Sequence, residues 1–318
     1  MAAHGQSREE VRDHWPVADA RSSGLPVPVI LGVAMLAAGV VYPVTGAALH
    51  HTTPITIAAV RAIGGGILLA LALPLLGSRL PRTRRLWTVA ALIGFGNTTL
   101  TLVGISEGTS RAGPAVASVL LNSSPFFVAL LGRAVLAERI SRLRVAGLVV
   151  GFAGVLAVVL SDPGDVAHGS ALVTGFVLAV AGALGWAAAG LAMRAVSMRD
   201  PGLDVAGLTA AQFLCGGVPL LLLVPFEGGS TQWREPSLLA ALAFLTVGGQ
   251  VLVYLGFNVA LGRWPSTRVY AWTFLVPAVA VLIEAVRGNL PTLLGVAGIV
   301  VVIAGVAIVN HPRAEAAG

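Results

Sequence analysis

The sequence predicts an all-α polytopic membrane protein of about ten transmembrane helices, arranged as two inverted five-helix repeats. Three observations predict it: long apolar runs broken by short charged patches, alternation of arginine between those patches, and motifs of the first half that recur in the second. Of the 318 residues, 56% are apolar and 11% charged, with a mean hydropathy of +0.88. A soluble domain of this size needs about a quarter of its residues charged, so most of this surface faces something other than water. Lipid offers the backbone no hydrogen bonds, which leaves helices and closed barrels. Barrel strands alternate apolar and polar residues; these runs are apolar all round, which favours helices.

Residues 1–27 are polar, mixed in charge and punctuated by Pro and Gly. A secretory signal would place a short basic region directly before a short apolar core. Here a full-length span follows a long polar stretch, which reads as a disordered cytoplasmic tail. At roughly 20 apolar residues per crossing, with Gly, Pro and charge clusters as punctuation, ten spans follow. They lie near 28–49, 54–76, 86–106, 113–133, 143–160, 170–192, 204–224, 237–258, 266–286 and 291–309. The first repeat is then 28–160, the second 170–310, and 311–318 is a second cytoplasmic tail.

Cytoplasmic loops retain arginine. With the N-terminus inside, sixteen of the 20 arginines fall in cytoplasmic segments, three (Arg111, Arg234, Arg287) fall outside, and Arg61 lies within a span. A wrong helix count would scramble this alternation, so both termini are expected to be cytoplasmic, with the chain in the plasma (inner) membrane. The net charge of +6 does not mark a nucleic-acid binder: there is no lysine, and the arginines follow the loops. The single Cys215 forms no intramolecular disulfide. His50 and His51 are adjacent and point to different helix faces, so no metal site is expected.

The fifth span reads VAGLVVGFAGVLAV from Val145 and the tenth VAGIVVVIAGVAIV from Val296, with nine of fourteen positions identical. Pro125 in NSSPFFVALL matches Pro277 in TFLVPAVAVL, and Tyr42 of the first span lies opposite Trp186 of the sixth. Five helices per half is an odd number, so the second half enters the membrane from the opposite side. Such inverted repeats pack about a pseudo-two-fold axis and give two arrangements of similar energy, the basis of alternating access.

At this point a family resemblance emerges. ITIAAVRAIGGGILLALALPLL in the second span, and LLNSSPFFVALLGRAVLAERISRLRVAGLVVGFAGVLAVVL across the fourth and fifth, resemble the EamA-type transporters of the drug/metabolite transporter superfamily. In that family a proline-bearing helix precedes a loop glutamate and a Gly-rich helix; here these are Pro125, Glu138 and the Gly147/Gly151/Gly154 helix. The sequence departs from the pattern at Asn289, where the loop glutamate usually recurs, at Glu284, where a small residue is usual, and at Tyr42, where tryptophan is common. The resemblance implies a secondary transporter that exports a small metabolite, amino acid or drug.

Polar residues deep in a span mark candidate sites, because an unpaired polar group in hydrocarbon is expensive. Asn97, Asn122, Gln250, Tyr254 and Tyr270 are the candidates for a central substrate cavity, together with Tyr42 and Trp186. The competing reading makes them hydrogen-bonded glue between helices, and serines and threonines often bond their own backbone. Pro125 and Pro277 each free a carbonyl in mid-helix. Kinks at matched positions of two repeats point to a midplane site, against a simple packing kink. Glu284, a carboxylate inside a span, is the first candidate for proton coupling; ion pairing with Arg287 is the alternative. Arg61 is a second coupling candidate, open to a substrate carboxylate, to Glu107 or Glu284, or to the outer surface by snorkelling. The glycines of the fifth and tenth helices read as packing positions.

No GxxxxGK[ST] loop occurs, so transport would be driven by an ion gradient or by the substrate's own. The expected partners are a small-molecule substrate, the lipid bilayer and protons as a candidate coupling ion; no cofactor, metal or nucleic acid is expected, and the chain is a monomer or homodimer. A membrane-embedded enzyme would need a clustered acid/base or metal constellation within a span. A scaffold or receptor subunit would need a sizeable soluble domain.

Overall fold

In the computed structural model, residues 25–136, 140–161, 169–286 and 292–311 are described. Among them the chain is helical, with no strand. The helices are α1 (Val27–Ala48), α2 (Pro54–Leu76), α3 (Arg84–Ala112), α4 (Pro114–Leu121 continuing as Ser124–Val135) and α5 (Arg142–Ser161). The second half holds α6 (Ser170–Arg199), α7 (Val205–Phe226), α8 (Pro236–Arg263), α9 (Ser266–Ala271, Trp272–Phe274 and Leu275–Val286) and α10 (Leu293–Asn310). All but α9 are long and apolar enough to cross a membrane as they stand. In α9 a 3-10 turn at Trp272–Phe274 interrupts the run. Exposed large apolar side chains stud the outer surfaces, among them Leu71, Leu92, Leu130, Leu160, Val177, Leu222 and Val300. Faces of this kind are untenable in water and ordinary in lipid.

Local chemistry sets the helix ends. Pro54, Pro114 and Pro236 open α2, α4 and α8, where the missing N–H costs nothing. Thr83, Asp204 and Thr292 accept hydrogen bonds from Leu86, Gly207 and Gly295 N–H at the starts of α3, α7 and α10. Gly77, at φ 65°, ends α2 in the left-handed region.

The packing partners show the two-fold relation. α2 lies against α7 and α5 against α10, each helix facing its own counterpart. Further contacts come in matched pairs: α3 on α6 and α8 on α1, α4 on α6 and α9 on α1, α3 on α7 and α8 on α2. The α5–α10 seam is closed by glycine. A Cβ on Gly154 would stand 2.6 Å from Val302 N and 2.8 Å from Gly298 O, so the two backbones touch only because no side chain intervenes.

The antiparallel α2–α7 pair is clasped at both ends. At one, Glu227 accepts from Ile55 N–H (2.6 Å) and Thr56 N–H (3.3 Å), Gln232 N–H donates to His51 O (2.9 Å), and Thr52 and Thr231 hydroxyls meet at 2.8 Å. At the other, Asp204 accepts from Arg79 N–H at 2.7 Å while capping α7.

α3, α6 and α8 run to 29, 30 and 28 residues, longer than the expected spans. In α3 the extra turn carries Glu107 and Arg111, whose ion pair at 2.5 Å sits one turn apart on the helix.

Candidate functional site

Two helices lose their regular winding at matched places. Phe95–Leu100 of α3 and Val247–Leu252 of α8 are π-helical turns, and α4 and α9 break just before Pro125 and Pro277. Each pair is 152 residues apart. A π turn widens the helix and leaves backbone groups mispaired, and such turns concentrate at functional sites. At the α4 break the polar side chains serve the backbone. The Asn122 amide donates to Ser118 O at 2.6 Å and the Ser123 hydroxyl to Leu120 O at 2.5 Å. Thr273 does the same for Tyr270 O at 2.8 Å in α9.

The π turn of α8 faces α2. Arg61 of α2 is wholly buried, and its Nη2 donates to the Gly249 carbonyl at 3.4 Å. Tyr42 of α1 and Tyr254 of α8 lie within electrostatic reach of the guanidinium. Arg61 Nε and Nη1 have no partner. Gln250 packs beside it against Gly65, one turn along α2, and neither of its amide atoms has a partner. Burial without accessible surface rules out snorkelling for Arg61, and Glu107 is taken by Arg111. Glu284 lies in α9, but its side chain is outside the described residues, as are Glu138, Arg139, Arg287 and Asn289.

Tyr254 joins this polar group to an aromatic wall. Its ring lies 6.3 Å from that of Trp186 and 5.8 Å, edge-on, from that of Phe213. Trp186 stacks 5.2 Å from Phe257 and 5.4 Å from Tyr270, and Phe257 meets Tyr270 edge-on at 4.8 Å. The Tyr270 hydroxyl donates to Trp186 O at 2.6 Å, seated over Gly190, where a Cβ would collide with it. Of the residues singled out from the sequence, Tyr42, Arg61, Trp186, Gln250, Tyr254 and Tyr270 thus come together. Asn122 stays with its own helix. Asn97 is buried in the α3 π turn with its Oδ1 unpartnered, next to Thr99, whose hydroxyl donates to Gly216 O at 2.6 Å. Asn258, spaced to share the face of Gln250 and Tyr254, donates to the Thr209 hydroxyl at 2.9 Å and links α8 to α7. Phe213 and Phe257 complete the wall without any mark in the sequence beyond their apolar character.

A helical bundle of paired halves around a polar and aromatic centre is the architecture of membrane transporters. The chain belongs to the EamA-like transporter family, whose model matches it twice, over residues 27–160 and 173–311. It is similar to an uncharacterized transporter, YvbV, of Bacillus subtilis, at 29% identity over 89% of this chain and 90% of that one. It is also similar to a probable amino-acid metabolite efflux pump of Salmonella typhimurium (27%; 85% and 90%) and a probable terminal-alkyne amino-acid exporter of Streptantibioticus cattleyicolor (27%; 85% of each). A solved protein structure superposes with a TM-score of 0.73 at 20% identity, covering 89% of this chain and 96% of that one, which shows the shared fold. The protein is therefore a multi-pass membrane transporter of this family.

Proposed function

We propose that the protein is a secondary active exporter of small amphipathic metabolites, working by alternating access in the plasma membrane with both termini cytoplasmic. It performs no covalent chemistry. The observation that carries the reading is the convergence of both halves on one buried centre. Both halves carry matched π turns and matched proline breaks, the α8 turn lines the centre, and Arg61, Gln250 and the Tyr254–Trp186–Tyr270 wall fill it. Polar groups without partners in such a place stabilise nothing by themselves, and a substrate that satisfies them supplies the missing hydrogen bonds. The near-equivalent halves supply two conformations of similar energy, one opening the centre to each side. The export direction is supported by the similar proteins named as an efflux pump and an exporter.

Proteoliposomes holding the purified protein, challenged with a metabolite panel with and without a pH gradient, test this directly. Uptake or efflux of at least one compound above empty vesicles is expected, accelerated by the gradient. If no compound moves, the reading fails. Glu284 is the proposed proton carrier, so Glu284→Gln is expected to retain exchange of substrate and lose acceleration by the pH gradient. Full pH dependence in that variant would remove Glu284 from the role.

A further inference from the structure

Arg61 is the most conspicuous energetic misfit in the described residues. Its side chain has no accessible surface, two of its three nitrogens have no partner, and its single hydrogen bond, to Gly249 O, is long at 3.4 Å. No carboxylate among the described residues pairs with it. A guanidinium remains protonated in proteins, so it cannot escape burial by losing its charge. A buried cation without an anion is a strongly unfavourable state, and its presence in a stable bundle asks for a counterion that comes and goes.

The surroundings say what kind. The open donors, Nε and Nη1, suit an acceptor-only group, and Arg–carboxylate hydrogen bonds are among the strongest available. Tyr42 and Tyr254, the two hydroxyl-bearing neighbours, keep a little accessible surface, 8% and 4%, where Arg61 and Gln250 have none. The tyrosines are thus the members of this group that reach accessible surface. One cation with two open donors matches a single negative charge better than a dianionic phosphate. Beyond Tyr254 stand Trp186, Phe257 and Tyr270, an apolar wall.

We infer that Arg61 anchors the carboxylate of a small organic acid whose apolar or aromatic body lies against the Tyr254–Trp186 wall. The inference rests on the transporter reading, and it gives that transporter an anion-selective centre. A neutral amide of the same body forfeits the charge, and an amine is repelled by the guanidinium.

The test uses the purified full-length protein with benzoate, phenylacetate and 3-phenylpropionate, each beside its amide and its amine. At least one carboxylate is expected to raise the melting temperature and to bind at least about tenfold more tightly than its amide, with no effect of the amine. Arg61→Gln should bind acid and amide alike. Arg61→Met, which removes the buried guanidinium and its unpartnered donors, should melt no lower than wild type without ligand; a structural anchor would lose stability there. If the Arg61 variants fail to fold, the wild-type series still decides. Equal shifts by acid, amide and amine, no shift by any of them, or a shift by chloride alone that the acids do not exceed, each overturns the inference. Proteoliposome transport separates the two readings. Movement of amides or amines without preference for acids sinks the Arg61 anchor and leaves the transporter intact. Acid-selective binding with no transport keeps the anchor and sinks the transporter.

Discussion

At the level of single residues, this protein sets polar groups where an apolar side chain would pack more cheaply. Gln250 is wholly buried with both amide atoms unpartnered, one residue from the carbonyl that receives Arg61. An unsatisfied buried amide costs about 1–3 kcal/mol, so its retention is best explained by a partner present only during transport. Gln250→Met should therefore leave the melting temperature equal or higher and lower the initial transport rate by about tenfold, a loss of ~1.4 kcal/mol of substrate or transition-state stabilisation. A variant that transports normally would return Gln250 to the packing. The burial of Arg61, Gln250 and the tyrosines was legible in the sequence, because charge and hydrogen-bonding capacity placed deep in an apolar run lie inside the bundle. Asn122 carries the same signature in the sequence. Its depth matched that of a cavity residue, yet its amide turns back to Ser118 O, because the break before Pro125 had already freed carbonyls nearby. Phe213 and Phe257 were illegible: an aromatic residue in an apolar helix has the same signature on the lipid face as in the centre.

Among elements, the glycine seam between α5 and α10 was readable, since a repeated small-residue pattern has meaning only where backbones meet. The contacts make it testable. Gly154→Leu must push apart Val302 N and Gly298 O, at an overpacking cost of about 2–3 kcal/mol. It should lower the melting temperature in detergent and the yield of monodisperse protein. Gly32→Leu, where an added Cβ meets nothing within 4 Å, should change neither. Equal behaviour of the two variants would contradict the seam. The π turns of α3 and α8 left no comparable trace. One extra residue per turn slips the helical period without altering its apolar character; Gln250, inside the turn, is unpartnered, while Tyr254 and Asn258, on the regular helix beyond it, join the aromatic wall and bond Thr209. Helix lengths were underestimated because an apolar count stops at the first polar residue, whereas α3 continues through the Glu107–Arg111 pair.

The whole molecule is a pseudo-symmetric object held at two ends. Arginine asymmetry and the repeated motifs made the ten helices and their duplication legible. The helix neighbours were not legible, because loops between spans set order but not which helix faces which. The α2–α7 pair, clasped by Glu227 at one face and Asp204 at the other, is one of the seams between the halves. Alternating access requires these faces to open in turn, and spin-label distances across each face report it directly. On a Cys215→Ala background, labels at His50 and Arg234 span one clasp, and labels at Leu80 and Gly202 span the other; all four positions are exposed. Distances measured in proteoliposomes, with substrate and with a pH gradient, should show a short and a long population at each face. The long population at one face should grow as that at the other shrinks. A single unchanged distance at both faces under transporting conditions, or both faces opening together, would contradict the account.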